Sequence, residues 1–429
     1  FRALFWRNSR GGPLMPHDTG GPRVFRGWIV VWAAFAVMLL GFRGAYSFSA
    51  FFAPLQQSFA APRGSLSLAF SIAGALWFVV GALSGPLADR FGPRGVVLLG
   101  MAIAGGGLLL ASAAQALWQI YLGYGLGIGI GVGFAYVPSI GAVQRWFVRR
   151  RGFASGVAVS GIGAGTLLAP PLAAWLIEML GWRGAYLALG CTVLVGGGIA
   201  ALLVEADPHR RHLAPDGDPF EHGTHRPTPT GLRLGEAIRT RPFIVFYLAA
   251  FACSIGLFIP FVHLTPYAED RGIGHEFAIL LISLIGIGST GGRFLIGGLA
   301  DRLGRRRSLG AMFAGMSLTM LWWLASSTAW QLALFALVFG TFYGGFVALA
   351  PAICVDYFGG RSASGIIGTL YTAVAGGTLA GPTLAGVAFD LLRSYEIPIL
   401  ASAICMGLAA GAVALMGPPP HALTAPARS

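Results

Sequence analysis

Leu87-Ala88-Asp89-Arg90-Phe91-Gly92 and Leu299-Ala300-Asp301-Arg302-Leu303-Gly304 are two copies of one short motif, separated by 212 residues. The same offset relates three further pairs of segments: Trp118-Gln119 and Trp330-Gln331, Gly133-Phe134 and Gly345-Phe346, Gly165-Thr166-Leu167 and Gly377-Thr378-Leu379. Four matches at one offset are typical of an internal repeat. The chain is therefore predicted to consist of two homologous halves.

Long apolar segments fill both halves. The 429 residues are 55% hydrophobic and 10% charged, with a mean hydropathy of +0.72, whereas soluble domains have roughly 25% charged residues. Runs of about 20 apolar residues occur twelve times and are numbered here as spans 1 to 12: 28–53, 66–88, 95–115, 118–143, 152–180, 182–204, 242–268, 276–300, 308–327, 330–356, 363–392 and 397–417. Because lipid offers no partners to backbone groups, these segments are predicted to be helices. The predicted fold is all-α and integral to the membrane, with twelve transmembrane helices in two pseudo-symmetric six-helix bundles.

One hydrophilic stretch separates the first six spans from the last six. Residues 205–241 are rich in Pro, His, Asp and Arg, a composition typical of a linker. We predict an N-terminal arm over 1–26, a first bundle over 27–204, the linker over 205–241, a second bundle over 242–417 and a tail over 418–429. The first apolar run is too long for the core of a signal peptide, so no cleaved leader is expected, and Met15 is a candidate start residue.

The basic residues are distributed unevenly between alternate loops. All 29 are Arg, and the formal net charge is +13. In the predicted topology, 23 lie on the side that holds both termini, four lie on the other side and two lie within spans. This asymmetry is the positive-inside pattern of membrane proteins, and it argues against a nucleic-acid partner. It predicts that the Arg-rich side is cytoplasmic, in a cytoplasmic (inner) membrane of bacterial type.

Neither metal binding nor enzyme chemistry is indicated by the sequence. The cysteines Cys191, Cys253, Cys354 and Cys405 lie in apolar segments without metal-ligand spacing, so they are predicted to be buried small hydrophobic residues. The spans contain no His-Glu-x-x-His motif and no Ser-His arrangement. We therefore predict a protein that is not an enzyme and that uses no metal and no cofactor.

Two arginines lie deep within the predicted spans, Arg43 in span 1 and Arg293 in span 8. An ionised residue at such depth costs a few kcal/mol and is a functional candidate by default. Arg293 precedes Asp301 by eight residues, which places it about 12 Å along the helix from the Arg-rich side and near the midplane. It is predicted to bind an anionic ligand through paired hydrogen bonds, with a structural Arg bonded to carbonyl groups as the alternative. Arg43 is a candidate second anion contact, with snorkelling to the outer surface as its alternative.

Other polar side chains of the spans are candidates for the same site. His263, near the outer end of span 7, is the one group there that titrates near neutrality. It is either a substrate or proton residue or a hydrogen-bonded pore-lining residue. Tyr136, Tyr343 and Tyr371 lie in spans 4, 10 and 11 at depths compatible with Arg293. Each hydroxyl needs a polar partner inside the bundle, so we predict that these tyrosines contact the substrate, although packing is an equally simple role.

The repeated motif, Gly85 to Arg94 and again Gly297 to Arg306, resembles the loop signature of the major facilitator superfamily, whose members are transporters built from two six-helix halves. The resemblance implies gating roles for four charged residues: Asp89, Arg90, Asp301 and Arg302. The alternative is that these charges only orient the chain in the membrane.

Residues 145–158, RWFVRRRGFASGVA, resemble the monocarboxylate porter family, as does the Gly27-Trp28 opening of span 1. The acidic residue that is usual before this Gly-Trp is missing. The family, which is related to oxalate and formate exchangers, implies transport of small carboxylates by alternating access, and Arg293 matches its carboxylate-binding Arg. Tyr46 stands where several animal members carry Lys, and it is assigned to the substrate site. Ser289 stands where proton-coupled members carry Asp.

We predict a secondary active transporter of small organic carboxylates that works by proton symport or anion exchange. The Ser at 289 favours exchange, or a substrate that carries its own proton. Span 4 lacks the early Arg of drug exporters, yet an exporter or facilitator of drugs or aromatic amino acids stays an alternative, as does a membrane sensor that transports nothing. The expected partners are the carboxylate, protons in the case of symport, and the lipid bilayer, and the protein is expected to be monomeric.

Overall fold

The computed structural model describes residues 25–147, 150–206, 208, 215–217 and 231–418, so nearly all of the predicted arm and tail, and about half of the predicted linker, lie outside the described residues. Within them, 11 helical segments are long and apolar enough to cross a membrane. The longest, Gly152–Leu202, contains a non-helical residue, Gly181, with φ 67° and ψ 169°, and therefore comprises spans 5 and 6. The described residues thus supply all twelve predicted spans, and they form no β-strand.

The helices of the first half have the following bounds: span 1 is Arg26–Tyr46 and Phe48–Phe59, span 2 is Arg63–Phe91, span 3 is Pro93–Ser112, span 4 is Leu117–Ile120, the π-helical turn Tyr121–Leu126 and Gly127–Trp146, and spans 5 and 6 are Arg151–Leu202. In the second half, span 7 is Arg241–Leu257 and Ile259–Asp270, span 8 is His275–Leu303, span 9 is Arg305–Ala325, span 10 is Ala329–Phe358, span 11 is Ala363–Leu392 and span 12 is Glu396–Ala414. Two short helical turns precede span 7 in the described part of the linker: the 3-10 turn Pro215–Gly217 and the α-helical turn Leu234–Ala237.

The internal repeat has a counterpart in backbone geometry. Gly92 and Gly304, which are equivalent in the repeat, both have positive φ, 84° and 91°, where the chain turns after the shared motif. Only glycine adopts this conformation at low cost. Gln119 and Gln331, which are also equivalent, each accept two backbone N–H bonds at the start of spans 4 and 10. Equivalent residues of the repeat therefore have the same local structure in the turns before spans 3 and 9 and at the starts of spans 4 and 10.

Spans 1 and 7 are interrupted at nearly equivalent positions, after Tyr46 and after Leu257. In span 7 the interruption precedes Pro260, which has no N–H to continue the helical bonding. In span 1, the Ser47 hydroxyl donates to the carbonyl oxygen of Gly44 at 2.8 Å. Tyr46, Leu257 and the adjoining residue 258 all line the central cavity described below. The interruptions thus shape the interior of the protein.

Glycines bring spans 8 and 10 into backbone contact. A Cβ atom on Gly288 would lie 2.1 Å from the Leu337 carbonyl oxygen, and one on Gly292 would lie 2.1 Å from that of Thr341. Such close approach of small residues is the usual way that membrane helices pack. Because Gly292 adjoins Arg293, this contact determines where the Arg293 side chain leaves span 8.

The cysteines are free thiols, and two of the four agree with the prediction that they are buried. Cys253 and Cys354 are buried and Cys405 is partly buried, but Cys191 is exposed on span 6. The prediction for Cys191 was wrong because an apolar segment of a membrane protein also has an outer face, on which small hydrophobic residues stand as easily as in the core.

Candidate functional site

A cavity lies between the two halves of the protein. It comprises about 700 Å³ of space between protein atoms, part of it open to solvent. Spans 1, 2, 4 and 5 of the first half and spans 7, 8, 10 and 11 of the second half supply its walls. Within the described residues, Arg293 is the one charged residue that lines it. The cavity therefore has a single fixed charge, and that charge is positive.

The structure brings Arg293 together with the four tyrosines assigned to the site. Tyr46, Tyr136, Tyr343 and Tyr371 line the same cavity as Arg293. The hydroxyls of Tyr46 and Tyr343 lie 3.3 Å apart and form a hydrogen bond between the halves. Those of Tyr136 and Tyr371 have no hydrogen-bond partner among the described residues. Two hydroxyls are thus available to a ligand.

Arg293 has hydrogen-bonding capacity to spare. Its Nη1 donates to the carbonyl oxygen of Val159, on span 5 of the other half, at 3.1 Å. Its Nε is buried and has no partner, and no described carboxylate forms an ion pair with it. The Val159 carbonyl oxygen therefore satisfies only part of the guanidinium. A purely structural Arg would have all of its donors bonded to carbonyl groups. A buried donor of a cation that lacks a partner favours an acceptor beside it, and an anion above all.

Aromatic side chains form most of the remaining wall. Trp77 lies at the centre of this group, with ring centroids 5.8 Å from Phe42, 6.0 Å from Tyr46 and 5.9 Å from Phe258. Five such residues line the cavity besides the tyrosines: Phe42, Trp77, Phe78, Phe258 and Phe346. Sequence reasoning missed all five, because an aromatic residue in an apolar span gives no signal of the direction in which it points.

Arg43 does not line the cavity. Its backbone packs against span 5, where a Cβ atom on Gly165 would lie 3.1 Å from the Arg43 nitrogen. Its Nε and Nη2 atoms are buried without a hydrogen-bond partner. The structure therefore separates Arg43 from the site that contains Arg293. The reason is helical phase, since the neighbouring Phe42 and Tyr46 occupy the cavity-facing side of span 1.

His263 does not line the cavity either, although it is completely buried. Its Nε2 lies 2.8 Å from the Pro382 carbonyl oxygen and 3.1 Å from the Ser67 hydroxyl, and its Nδ1 lies 3.0 Å from the Tyr395 hydroxyl. Because a carbonyl oxygen only accepts, Nε2 carries the proton in that bond. His263 thus connects span 7 to spans 2 and 11 and to the segment between spans 11 and 12, as a hydrogen-bonded residue outside the central cavity.

A polar cluster joins the halves on the side opposite the Arg-rich side. We call it the outer lock, and it consists of Arg63, Asp270, Asp390 and Tyr395. Arg63 donates two hydrogen bonds to Asp270, at 2.7 and 2.8 Å, and one to the Tyr395 hydroxyl at 2.9 Å. Asp390 accepts the backbone N–H groups of Arg63 and Gly64 at 2.9 and 2.8 Å. Span 2 of the first half is therefore tied to spans 7 and 11 of the second.

The predicted gating residues make their described contacts within one half. Asp89 forms an ion pair with Arg145 at the end of span 4, and the Arg90 guanidinium lies 5.3 Å from the Phe91 ring. Arg302 lines a shallow pocket formed only by residues of the second half, and the side chain of Asp301 lies outside the described residues. These contacts do not join the halves. Among the described residues, Arg63 and Asp270 form an ion pair that does join them, and the sequence analysis did not predict it.

The fold is similar to that of solved transporters. A crystal structure of a bacterial homolog of the human lysosomal transporter Spinster, inward-facing and unoccupied, has a TM-score of 0.69 at 15% sequence identity, covering 91% of this chain and 97% of that chain. The inward-facing, occupied form has a TM-score of 0.71 at 14% identity, covering 92% and 97%. The likeness is one of fold: twelve spans in two halves, covering nearly the whole length of each chain.

Sequence relatives make the assignment narrower. The family model of the Major Facilitator Superfamily matches residues 31–308 and 251–429. Monocarboxylate transporter 3 of Rattus norvegicus is 32% identical over 395 residues, 90% of this chain and 78% of that protein. Monocarboxylate transporter 12 of the same species is 29% identical over 422 residues, 93% of this chain and 86% of that protein. The chain belongs to the major facilitator superfamily and, within it, to the monocarboxylate porter family.

Proposed function

We propose that this protein is a secondary active transporter of small organic carboxylates, with Arg293 as the residue that binds the carboxylate. The observation that carries the proposal is the unpartnered Nε of Arg293 at the wall of a cavity between the halves. A guanidinium offers a carboxylate two parallel hydrogen bonds, and the hydroxyls of Tyr136 and Tyr371 can donate further ones. The printed names of the relatives, monocarboxylate transporters, support the same class of substrate.

We further propose alternating access, in which the halves rock about the cavity. Four spans of each half line it, so a movement of one half against the other opens it to one side and closes it to the other. The outer lock keeps the halves together on one side in this structure. Opening toward that side requires Arg63 to separate from Asp270, and the Arg-rich side would be the route of entry and exit while the lock is closed.

Anion exchange is the proposed mode of coupling. No carboxylate lines the cavity in the described part of the chain, so no acidic group there can carry a proton beside Arg293. Ser289, one turn earlier on span 8, has a buried hydroxyl without a partner. An empty site must close over an unpaired guanidinium, which is costly, whereas a bound carboxylate neutralises it. The return step is therefore favoured when a second anion is bound.

Counterflow in proteoliposomes tests the proposed function. Vesicles containing purified protein are loaded with one acid from a panel of pyruvate, lactate, butyrate, benzoate and phenylacetate, and entry of the same radiolabelled acid is followed. We expect accumulation of at least one acid, and a loss of about 30-fold or more for Arg293→Gln, because removal of one partner from a desolvated charge pair costs about 2–5 kcal/mol.

Arg271→Gln is the matched control for this experiment. Arg271 donates to the Ser326 carbonyl oxygen at 3.1 Å and lies 4.5 Å from the Tyr267 ring, away from the cavity, so counterflow should persist. Undiminished counterflow in Arg293→Gln would refute the assignment of Arg293. The coupling has its own test: exchange requires an internal anion, whereas accumulation in empty vesicles driven by a pH gradient alone would establish symport.

A further inference from the structure

We infer that the cavity selects monoanions with a bulky apolar body, above all an aromatic one, over short-chain acids, dicarboxylates and zwitterionic amino acids. This inference rests on the proposed role of Arg293 and adds to it the class of substrate. It follows from the full set of groups that face the cavity, which is one cation, four tyrosines and otherwise apolar side chains.

The charge of the substrate follows from the single cation. Arg293 is the one charged residue of the cavity wall within the described residues, and Arg43 lies elsewhere. A first carboxylate is neutralised by Arg293, but a second would lose its water without gaining a positive partner, which is costly in a low-dielectric site. A dicarboxylate of the same size should therefore bind much more weakly than a monocarboxylate.

A zwitterion is disfavoured because its ammonium group finds no negative partner in the cavity wall formed by the described residues. An ammonium group requires acceptors and, when it leaves water, a negative partner. The cavity wall has no carboxylate in the part of the chain that the structure describes, and the hydroxyls of Tyr46 and Tyr343 already bond to each other. The hydroxyls of Tyr136 and Tyr371 can accept a hydrogen bond but carry no charge. An amino acid should therefore lose to the acid that lacks the amine.

The preference for a substrate with a bulky apolar body follows from the aromatic side chains of the cavity wall. Trp77 contacts Phe42 and Phe258, and the Phe78 ring lies 5.5 Å from that of Tyr371. These faces surround the space beside Arg293, and aromatic pairs add favourable edge and face contacts. A short acid leaves them in contact with water, whereas each extra buried methylene should strengthen binding about fourfold. A ring of six carbons should therefore raise the binding affinity well over tenfold.

Isothermal titration of purified, detergent-solubilised protein tests this with five matched compounds. Phenylacetate is compared with acetate for the body, phenylglycine for the ammonium group, phenylsuccinate for the second carboxylate and phenylacetamide for the charge itself. We expect phenylacetate to bind at least tenfold more tightly than each of the other four. In Arg293→Gln, the affinity for phenylacetate should fall to that for phenylacetamide.

Variants of the wall show whether the aromatic residues are responsible. Trp77→Leu and Phe346→Leu, on spans 2 and 10, should each reduce the ratio of phenylacetate to acetate affinity at least threefold. Two positions in different halves are used, with the melting temperature of each variant as a check on folding. A ratio that stays constant in both folded variants overturns the role of the wall.

The outcomes separate this inference from the proposed function. Acetate that binds as tightly as phenylacetate, with both lost in Arg293→Gln, overturns the inference and leaves the proposed function intact. Phenylglycine or phenylsuccinate that binds as tightly as phenylacetate overturns the charge argument. If phenylacetamide binds as tightly as phenylacetate and Arg293→Gln has no effect, both the inference and the proposed role of Arg293 fall.

Discussion

Replacement of Arg63 by Gln should move the protein toward a state that is open on the side of the outer lock. Arg63 belongs to the first half, and its partners Asp270 and Tyr395 belong to the second. These bonds exist only while the halves are closed on that side. Their loss therefore raises the free energy of the closed state and leaves that of the open state nearly unchanged.

The size of the effect follows from the geometry of the contact. A hydrogen bond to a charged group is worth about 1.5–3 kcal/mol, and Arg63 makes two to Asp270. The Arg63 side chain is 12% exposed but that of Asp270 is 39% exposed, so water replaces part of what is lost. A net shift of about 2 kcal/mol is expected, or about 30-fold in the equilibrium. An open state populated at about 10% would rise to about three-quarters.

Distances between spin labels on the two halves measure this shift. Cysteines are introduced at Gln57 and Glu276, which are exposed near the outer ends of spans 1 and 8. The background replaces the four native thiols with Ala: Cys191, Cys253, Cys354 and Cys405. In Arg63→Gln, pulsed electron paramagnetic resonance should show a larger population of molecules with the longer distance between the labels at positions 57 and 276.

Arg183→Gln is the matched control, since it lies on the same side of the membrane. Arg183 donates to the Ala114 carbonyl oxygen at 3.0 Å and lies 4.1 Å from the Trp182 ring, all within the first half, so the distances should not change. An unchanged distance distribution in a folded Arg63→Gln variant would show that the outer lock does not hold the halves together. The same shift in both variants would show that it is not specific to the lock.

Two further predictions concern stability. His263→Phe removes the hydrogen bonds that His263 makes to Pro382 and Tyr395, so we expect a loss of about 2–3 kcal/mol and a lower melting temperature, with affinity for phenylacetate within about threefold of the native value; lost binding in a folded variant would contradict the placement of His263 outside the cavity. Gly288→Ala should lower the melting temperature strongly, because its Cβ would lie 2.1 Å from a carbonyl oxygen of span 10, whereas Gly291→Ala on the same helix meets nothing within 4 Å; equal melting of the two variants would contradict the packing of spans 8 and 10.

The sequence by itself determined the class of the fold and identified Arg293, the charged residue of the cavity wall within the described residues. Twelve apolar runs of sufficient length have one physical solution in lipid, a bundle of helices, because only helices satisfy the backbone there without water. The repeat at an offset of 212 residues showed two halves. Arg293 stood out for the same reason, since a charge deep within a span is too costly to lack a role.

Only the tertiary structure decided which faces of the helices meet. Nearly every span is apolar on all sides, so the pattern of hydrophobic residues does not distinguish a face toward lipid from a face toward the cavity. This is why Arg43 and His263 were grouped with Arg293 although the structure places them elsewhere, and why Trp77 and Phe258 were missed. The outer lock could not be predicted from the sequence, because Arg63 and Asp270 are 207 residues apart. Only the packing of the two halves brings them together.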